Sequence, residues 1–423
     1  FLPLIFVTEL HQISHTILHA FLARLADPKL TLAAFSIAFA FCVTLGTINQ
    51  VSLQGGISFI TDRVSFWRLF RFFGTLSIFL FLAVQSVALT PMGDIMFGKL
   101  MGASKEVVKQ ARETTAIMAF WFFPVLVRHL TYALLMIHRR TILITYGTIL
   151  RLFSLGIFLF VFSFWLEGAA IGGAALVACV TVETVYMVIV ARPLFKRLEK
   201  NIGKRSSYYE IWRFSWPLMI TQGSERGVIL VINFFLGQLS NPDLALAGFG
   251  VVNGLMRTCL SPSRNLIQTA QALVRSREDL KIMFNFTFRT LLFFIVIVML
   301  LFYSPLRNVI LEKIMGLTLE LSQYTTPGLK LTFLMAIFWG YSSLLRGLLS
   351  AMRRTGALAF TAGIRLLIVV IVGSITFFMP HLNGTVVGTL AEVGSFAAES
   401  LFLGFCLWRH FKTSNQLFPH LQA

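Results

Sequence analysis

The second half of this chain repeats the first at one fixed spacing, and a duplication of that length commits the fold to two like parts. Leu2-Pro3-Leu4 answers Trp216-Pro217-Leu218, and FLARLADPKLTLAAF (21–35) answers FLGQLSNPDLALAGF (235–249), both at an offset of 214 residues. The offset runs on through Gln54 and Gln268, Arg63 and Arg277, Thr90-Pro91 and Ser304-Pro305, HRRT (138–141) and MRRT (352–355), and Arg151 and Arg365. After a slip to 216 it continues through Gly172 and Gly388 to Glu183 and Glu399. Self-similarity sustained over a whole half marks two copies of one structural unit.

Each copy contains six apolar stretches. They fall at about 1–24, 30–55, 72–90, 114–137, 142–164 and 168–191, then at 211–237, 244–271, 285–304, 326–350, 356–380 and 384–407. A membrane-spanning helix needs about 20 mostly apolar residues, so twelve spans are expected. Composition agrees: 57% of the 423 residues are hydrophobic and 13% charged, against about 25% charged in soluble domains. A soluble globular protein is excluded. Cys42, Cys179, Cys259 and Cys406 lie in apolar runs without CxxC spacing, which reads as packing rather than a disulfide or zinc framework. The first run carries Glu9, His11 and His15, unlike the smooth core of a cleavable signal peptide.

The basic residues fix the orientation. Eighteen fall in one set of alternate loops, among them Arg139, Arg140, Arg192, Lys196, Arg353 and Arg354, and seven in the other. The richer side is cytoplasmic by the positive-inside rule, and so are both termini. The expected architecture is an all-α membrane protein of twelve transmembrane helices. Residues 1–195 form an N-terminal six-helix bundle, 196–206 a cytoplasmic basic linker, and 207–423 a C-terminal six-helix bundle. With six helices per half the copies insert alike, related by a pseudo-two-fold axis along the membrane normal. The setting is the plasma or inner membrane, with membrane lipids as partners.

Of 36 Lys and Arg, 11 fall inside spans, against five acids: Glu9, Glu183, Glu225, Glu392 and Glu399. Ionisable groups at membrane depth are costly and become functional candidates. Span 1 lines His11, His15 and His19 along one helical face, with Glu9 and Gln12 beside it. The stripe reads as a proton relay, as packing histidines, or as part of a metal site that lacks an obvious further ligand. Span 7 carries Glu225 and Arg226 between Gly223 and Gly227, with Asn233 at the position equivalent to His19. That pair reads either as an ion-coupling or substrate site or as a neutralised pair. Glu183 and Glu399 recur in both copies and are expected to pair with Arg151 and Arg365 as structural ties.

Arg excess inside spans favours an anion, because guanidinium binds carboxylate and phosphate in bidentate geometry. Arg226, Arg257, Arg264 and Arg346 are the candidates for holding it, with Asn233, Gln54 and Gln268 as polar company. Glu9, Glu225 and the three histidines are the candidates for coupling. No Walker motif, GxSxG or HExxH is present, so the expectation is a secondary transporter rather than an enzyme. It needs no cofactor and no metal, binds no nucleic acid, works as a monomer, and is driven by H+ or Na+.

The residues WPLMITQGSERGVILVINFF (216–235), LLRGLLSAMRRTGALAFTAGIRLL (344–367) and NGTVVGTLAEVGSFAAES (383–400) carry a resemblance. In them the chain resembles the progressive ankylosis protein family, within the superfamily that holds the multidrug and toxin extrusion (MATE) transporters and lipid-linked oligosaccharide flippases. The resemblance implies a MATE-like fold and export of small polyanions such as pyrophosphate, nucleotides or citrate-like acids. MATE kinship implies instead an H+ or Na+ antiporter of cationic drugs, with Glu9 and Glu225 falling in its coupling helices. A flippase for lipid-linked precursors is a further alternative.

Overall fold

In hydrocarbon every backbone N–H and C=O must be paired within its own segment, so each apolar stretch becomes a helix. The computed structural model describes residues 2–22, 24–25, 27–100, 104–200, 206–315 and 317–413; the side chains of Gln12 and Arg226, and residues 201–205 of the expected linker, lie outside that description. The chain divides into two compact units, Phe1–Ser215 and Trp216–Ala423.

The first unit holds α1 (Leu2–Leu22), α2 (Pro28–Phe59), α3 (Arg63–Leu89), α4 (Lys105–Met118), α5 (Phe122–Ile137), α6 (Ile142–Phe162) and α7 (Ala169–Arg197). A 3-10 turn at Ala119–Trp121 joins α4 and α5 into one span. α8 (Tyr208–Leu236) runs across the unit boundary. The second unit continues with α9 (Pro242–Leu260), α10 (Asn265–Leu273), α11 (Arg277–Tyr303), the single turn α12 (Leu306–Asn308), α13 (Leu319–Ala351), α14 (Gly356–Gly373), the short α15 (Ile375–Phe378) and α16 (Gly384–Thr413). Among the described residues, ten helices are long and apolar enough to cross a membrane. The other two of the twelve expected spans are α1 and α8, 21 and 29 residues long, which carry the polar residues singled out above.

Local chemistry repeats between the units even where residues differ. At the start of α3, Ser65 N–H donates to Asp62 Oδ1 at 2.6 Å and Asp62 N–H donates to Ser65 Oγ at 3.0 Å. At the start of α11, Ser276 and Asp279 make the same reciprocal capping box with acid and alcohol exchanged. A π-helical turn follows each of the repeat-related prolines, at Asp94–Leu100 and Val309–Ile314. The HRRT and MRRT motifs are Schellman endings: Arg140 N–H reaches Leu135 O and Arg354 N–H reaches Leu349 O, each at 2.8 Å. That ending puts Arg139 at φ 57° and Arg353 at φ 55°, the left-handed region where glycine is the usual occupant.

Close helix crossings repeat in kind. Gly388 of α16 lies against Phe249 of α9, and a Cβ there would stand 2.5 Å from the ring; in the first unit Gly172 lies against Phe35, the same pair one repeat earlier. Gly347 of α13 faces Ile267 O and Ala270 of α10, where an added Cβ would come within 2.5 Å and 2.9 Å. The repeat-equivalent pair is Gly56 and Ala133, with glycine and alanine traded between helices. One helix approach is thus kept by two different sequences.

Candidate functional site

In the second unit, α8, α13, α14 and α16 bring four charged side chains together out of water. Arg346 of α13 grips Glu399 of α16 with both arms, Nε to Oε1 at 2.8 Å and Nη2 to Oε2 at 2.7 Å. Its remaining Nη1 donates to Glu225 Oε1 of α8. Arg365 of α14 completes the group, 3.8 Å from Glu399 and 3.9 Å from Glu225, with its guanidinium 4.0 Å from the centre of the Phe396 ring. These groups are all buried, so each charge depends on the others for compensation.

Around this closed centre lie two arginines that remain partly open. Arg264 Nη2 stands 3.3 Å from Glu225 Oε2, and 39% of its side chain is exposed. Arg257 of α9 donates to Glu392 Oε1 of α16 at 3.0 Å and to Asn253 Oδ1 at 2.6 Å, with 35% of its side chain exposed. Asn253 Nδ2 in turn donates to Glu392 Oε2 at 2.9 Å. Each of these two guanidiniums is oriented by a buried carboxylate, on a side chain that stays more than one-third exposed.

The backbone explains why Arg264 reaches this place. Pro262 lacks an N–H and cannot continue the α-helical ladder, and the span Leu244–Leu273 is interrupted there by the 3-10 turn Ser261–Arg264. In the first unit the equivalent residues, Thr47-Ile48-Asn49-Gln50, lie inside the unbroken α2. Interrupted spans are a common way of building sites in membrane transporters. The side chains differ in step: Asn253, Arg257 and Glu392 correspond to Phe39, Val43 and Leu176, which pack in the apolar core of the first unit. The open arginines therefore belong to one copy alone.

The first unit keeps a smaller charged cluster. Glu183 of α7 accepts from Arg128 Nη1 at 2.8 Å, from the Tyr132 hydroxyl at 2.5 Å and from Thr148 Oγ1 at 3.3 Å. Arg151 Nε lies 4.0 Å from the same carboxylate, and its Nη2 donates to Ser14 Oγ of α1 at 2.9 Å.

Several expected residues meet here and several do not. Arg151 and Arg365 both lie near the acids predicted for them, but at 4.0 and 3.8 Å, while Arg128 and Arg346 make the short bonds. Arg346, read as a substrate ligand, has its fork filled by two carboxylates. Glu225, read as an ion-coupling acid, is bound by Arg346 and Arg264. The histidine stripe splits: His15 and His19 pack edge-on against Phe39 and Phe35 of α2, at 4.9 and 5.5 Å between ring centres, whereas His11 lies one turn before Ser14, the residue that Arg151 bonds.

Glu9 Oε1 and Gln268 Oε1 are buried with no hydrogen-bond partner among the described residues. Gln54 is buried in α2, and Asn233 is partly exposed two turns beyond Glu225. The side chain of Arg226 lies outside the described residues. Gly223 and Gly227 face open space rather than a close neighbour.

Tyr132 and Asn253 belong to these networks although sequence reasoning passed them over, and so do Arg128 and Glu392, which it counted as in-span charges without assigning them a partner. Strict repeat arithmetic conceals Arg128, because it aligns with Ser342 while Arg346 aligns with Tyr132. The cation has moved four residues, one turn along the same helix face, and serves the same acid from there.

No protein-family model matches the chain, and no curated protein sequence does. Solved structures do. The eukaryotic MATE transporter AtDTX14 superposes with a TM-score of 0.73 at 17% identity, over 96% of this chain and 93% of that one. A MOP superfamily transporter from Pyrococcus furiosus, described as having a binding pocket of reversed polarity that suggests a different function, gives 0.74 at 14% identity over 98% and 95%. The Vibrio cholerae MATE transporter VcmN in its bent form gives 0.73 at 15% identity over 98% and 96%. At these identities the likeness is one of architecture, and the chain has the fold of the MATE transporters.

Proposed function

We propose that the protein is a secondary transporter that exports small organic or phosphate-containing anions by alternating access, as a monomer in the plasma or inner membrane with both termini cytoplasmic. The single observation that carries this reading is the pair Arg257 and Arg264, each steered by one buried carboxylate and each left more than one-third open. Guanidinium in such a setting takes a carboxylate or phosphate in bidentate geometry. A surface arginine lacks this orientation, and a fully paired one lacks the free donors.

The geometry suggests how ion coupling arises. An incoming anion competes with Glu225 for Arg264 and with Glu392 for Arg257. A carboxylate that loses its cation in a low dielectric is destabilised, and a proton or Na+ restores the balance. Coupling then lies in the exchange of partners among Glu225, Arg264 and the substrate.

A MATE-type antiporter of cationic drugs is the second reading, favoured by the likeness to AtDTX14 over nearly the whole chain. The paired state of Glu225 weighs against it, since a cation there must displace arginine. Proteoliposomes separate the two. Accumulation of labelled citrate, pyrophosphate or nucleotide under an imposed pH or Na+ gradient supports anion export. Accumulation of a cationic dye with none of the three anions overturns it.

A further inference from the structure

The two buried clusters occupy repeat-related positions but do not balance alike. In the second unit the two buried arginines, Arg346 and Arg365, lie between two carboxylates, Glu399 and Glu225, and the third cation at Glu225, Arg264, keeps 39% of its side chain exposed. In the first, Arg128 and Arg151 share Glu183 alone among the described residues, because the position equivalent to Glu225 is His11. Glu183 is also committed elsewhere: one oxygen accepts from Tyr132 and Thr148, the other from Arg128. Arg151 receives a long contact of 4.0 Å and a neutral hydroxyl, Ser14, as partners.

The surplus among the buried groups is one positive charge. Arg128 Nε, Arg151 Nε and His11 Nε2 are all buried without a hydrogen-bond partner among the described residues, as are Nε and Nη1 of Arg365 in the second unit. Only 8% and 5% of the Arg128 and Arg151 side chains are exposed. His11 sits one turn before Ser14 on the face of α1 that carries the buried Val7, Leu18 and Leu22. The charged and titratable groups acting on it are Arg151, Arg128, His15 and His129. Glu9, two residues away and so about 200° around the helix, lies on another face and does not neutralise the cluster. A buried guanidinium without its counter-charge is strongly unfavourable, and in the second unit the two buried arginines have two carboxylates between them.

We propose that the first unit binds a small monovalent anion of halide size among His11, Arg128 and Arg151, where it has the electrostatic role that the Glu225 carboxylate has in the second unit. One negative charge closes the balance. A spherical ion accepts from several converging N–H groups, and the enclosed setting excludes a solvated polyanion. The site does not rest on the transport reading and is separate from Arg257 and Arg264.

The test uses purified full-length protein, with gluconate replaced by chloride or bromide at constant ionic strength. The wild type is expected to show a saturable rise in melting temperature of several degrees. His11→Glu, which supplies the missing carboxylate, is expected to melt in gluconate as the wild type does in chloride and to lose the response. Equal melting of the wild type in both salts overturns the proposal, as does a His11→Glu variant that still responds to halide. A stabilisation given by pyrophosphate but not by chloride, and lost in His11→Glu, also overturns the halide assignment. Should His11→Glu fail to fold, equilibrium binding of radiolabelled chloride decides: saturable binding of one ion per chain, weakened at least tenfold by Arg151→Lys, supports the site, and absent or unaltered binding refutes it.

Discussion

Replacing Arg346 with methionine tests the closed centre of the second unit most severely. The variant keeps most of the side-chain volume and removes one cation that bonds two carboxylates, through Nε and Nη2 to Glu399 and through Nη1 to Glu225. Breaking a buried ion pair from one side costs about 3–5 kcal/mol, because the partner is left charged and uncompensated. Arg365, already 3.8 and 3.9 Å from the two acids, offsets part of the loss at Glu399, and Arg264 at 3.3 Å offsets part at Glu225. For a unit of this size each kcal/mol moves the melting temperature by about 2–4 °C, so Arg346→Met should melt about 6–20 °C lower. Melting in detergent, followed by intrinsic fluorescence, reads the shift. The double variant Arg346→Met/Glu399→Gln removes one stranded carboxylate and should recover about half of the loss. An Arg346→Met variant melting within about 2 °C of wild type, or a double variant worse than the single, would refute the charge-compensation reasoning.

Other consequences follow from the packing and the backbone. Gly347→Ala puts a methyl group 2.5 Å from Ile267 O and should destabilise by about 1–3 kcal/mol. Gly223→Ala and Gly227→Ala meet open space and should be neutral or stabilise by about 0.5–1 kcal/mol; melting curves of the three variants show the order. Arg139→Gly and Arg353→Gly relieve a left-handed residue at each Schellman ending and should each stabilise by about 0.5–1 kcal/mol, measured the same way, with no change in helix content by circular dichroism.

Helix number, the duplication and the charged helices were legible because they follow from period and hydropathy, which the bilayer enforces. The acids of the buried clusters, Glu183, Glu225 and Glu399, stood out for the same reason. Their short-range partners did not. Arg128 and Arg346 differ by one turn between copies, and one turn is invisible to a constant offset though it costs nothing in space. The capping boxes at Asp62 and Ser276 and the Gly56–Ala133 and Ala270–Gly347 crossings trade residues in the same way, so the copies match in contact while differing in letters. The count of unpaired cations misled for a physical reason: it sums charges along the chain, whereas pairing depends on which helices face each other. Arg346 counts as one of the excess cations and is in fact held by two acids. Arg264 drew attention only as an in-span cation; the break at Pro262 that presents it becomes meaningful beside the unbroken α2.

The most direct measurement is anion uptake by proteoliposomes carrying Arg264→Gln, set against wild type and against cationic dye uptake in the same vesicles. Arg264 is partly exposed, and its one ion pair among the described residues is the 3.3 Å contact with Glu225, which keeps Arg346 when Arg264 is removed, so its loss should lower the melting temperature little, an open pair being worth about 1 kcal/mol. Uptake of citrate, pyrophosphate or nucleotide should nevertheless fall at least about tenfold in kcat/KM, one charge-assisted anion contact being worth about 1.5–3 kcal/mol. Unchanged anion uptake by a well-folded Arg264→Gln protein, or dye transport by the wild type in the absence of any anion flux, would contradict the account.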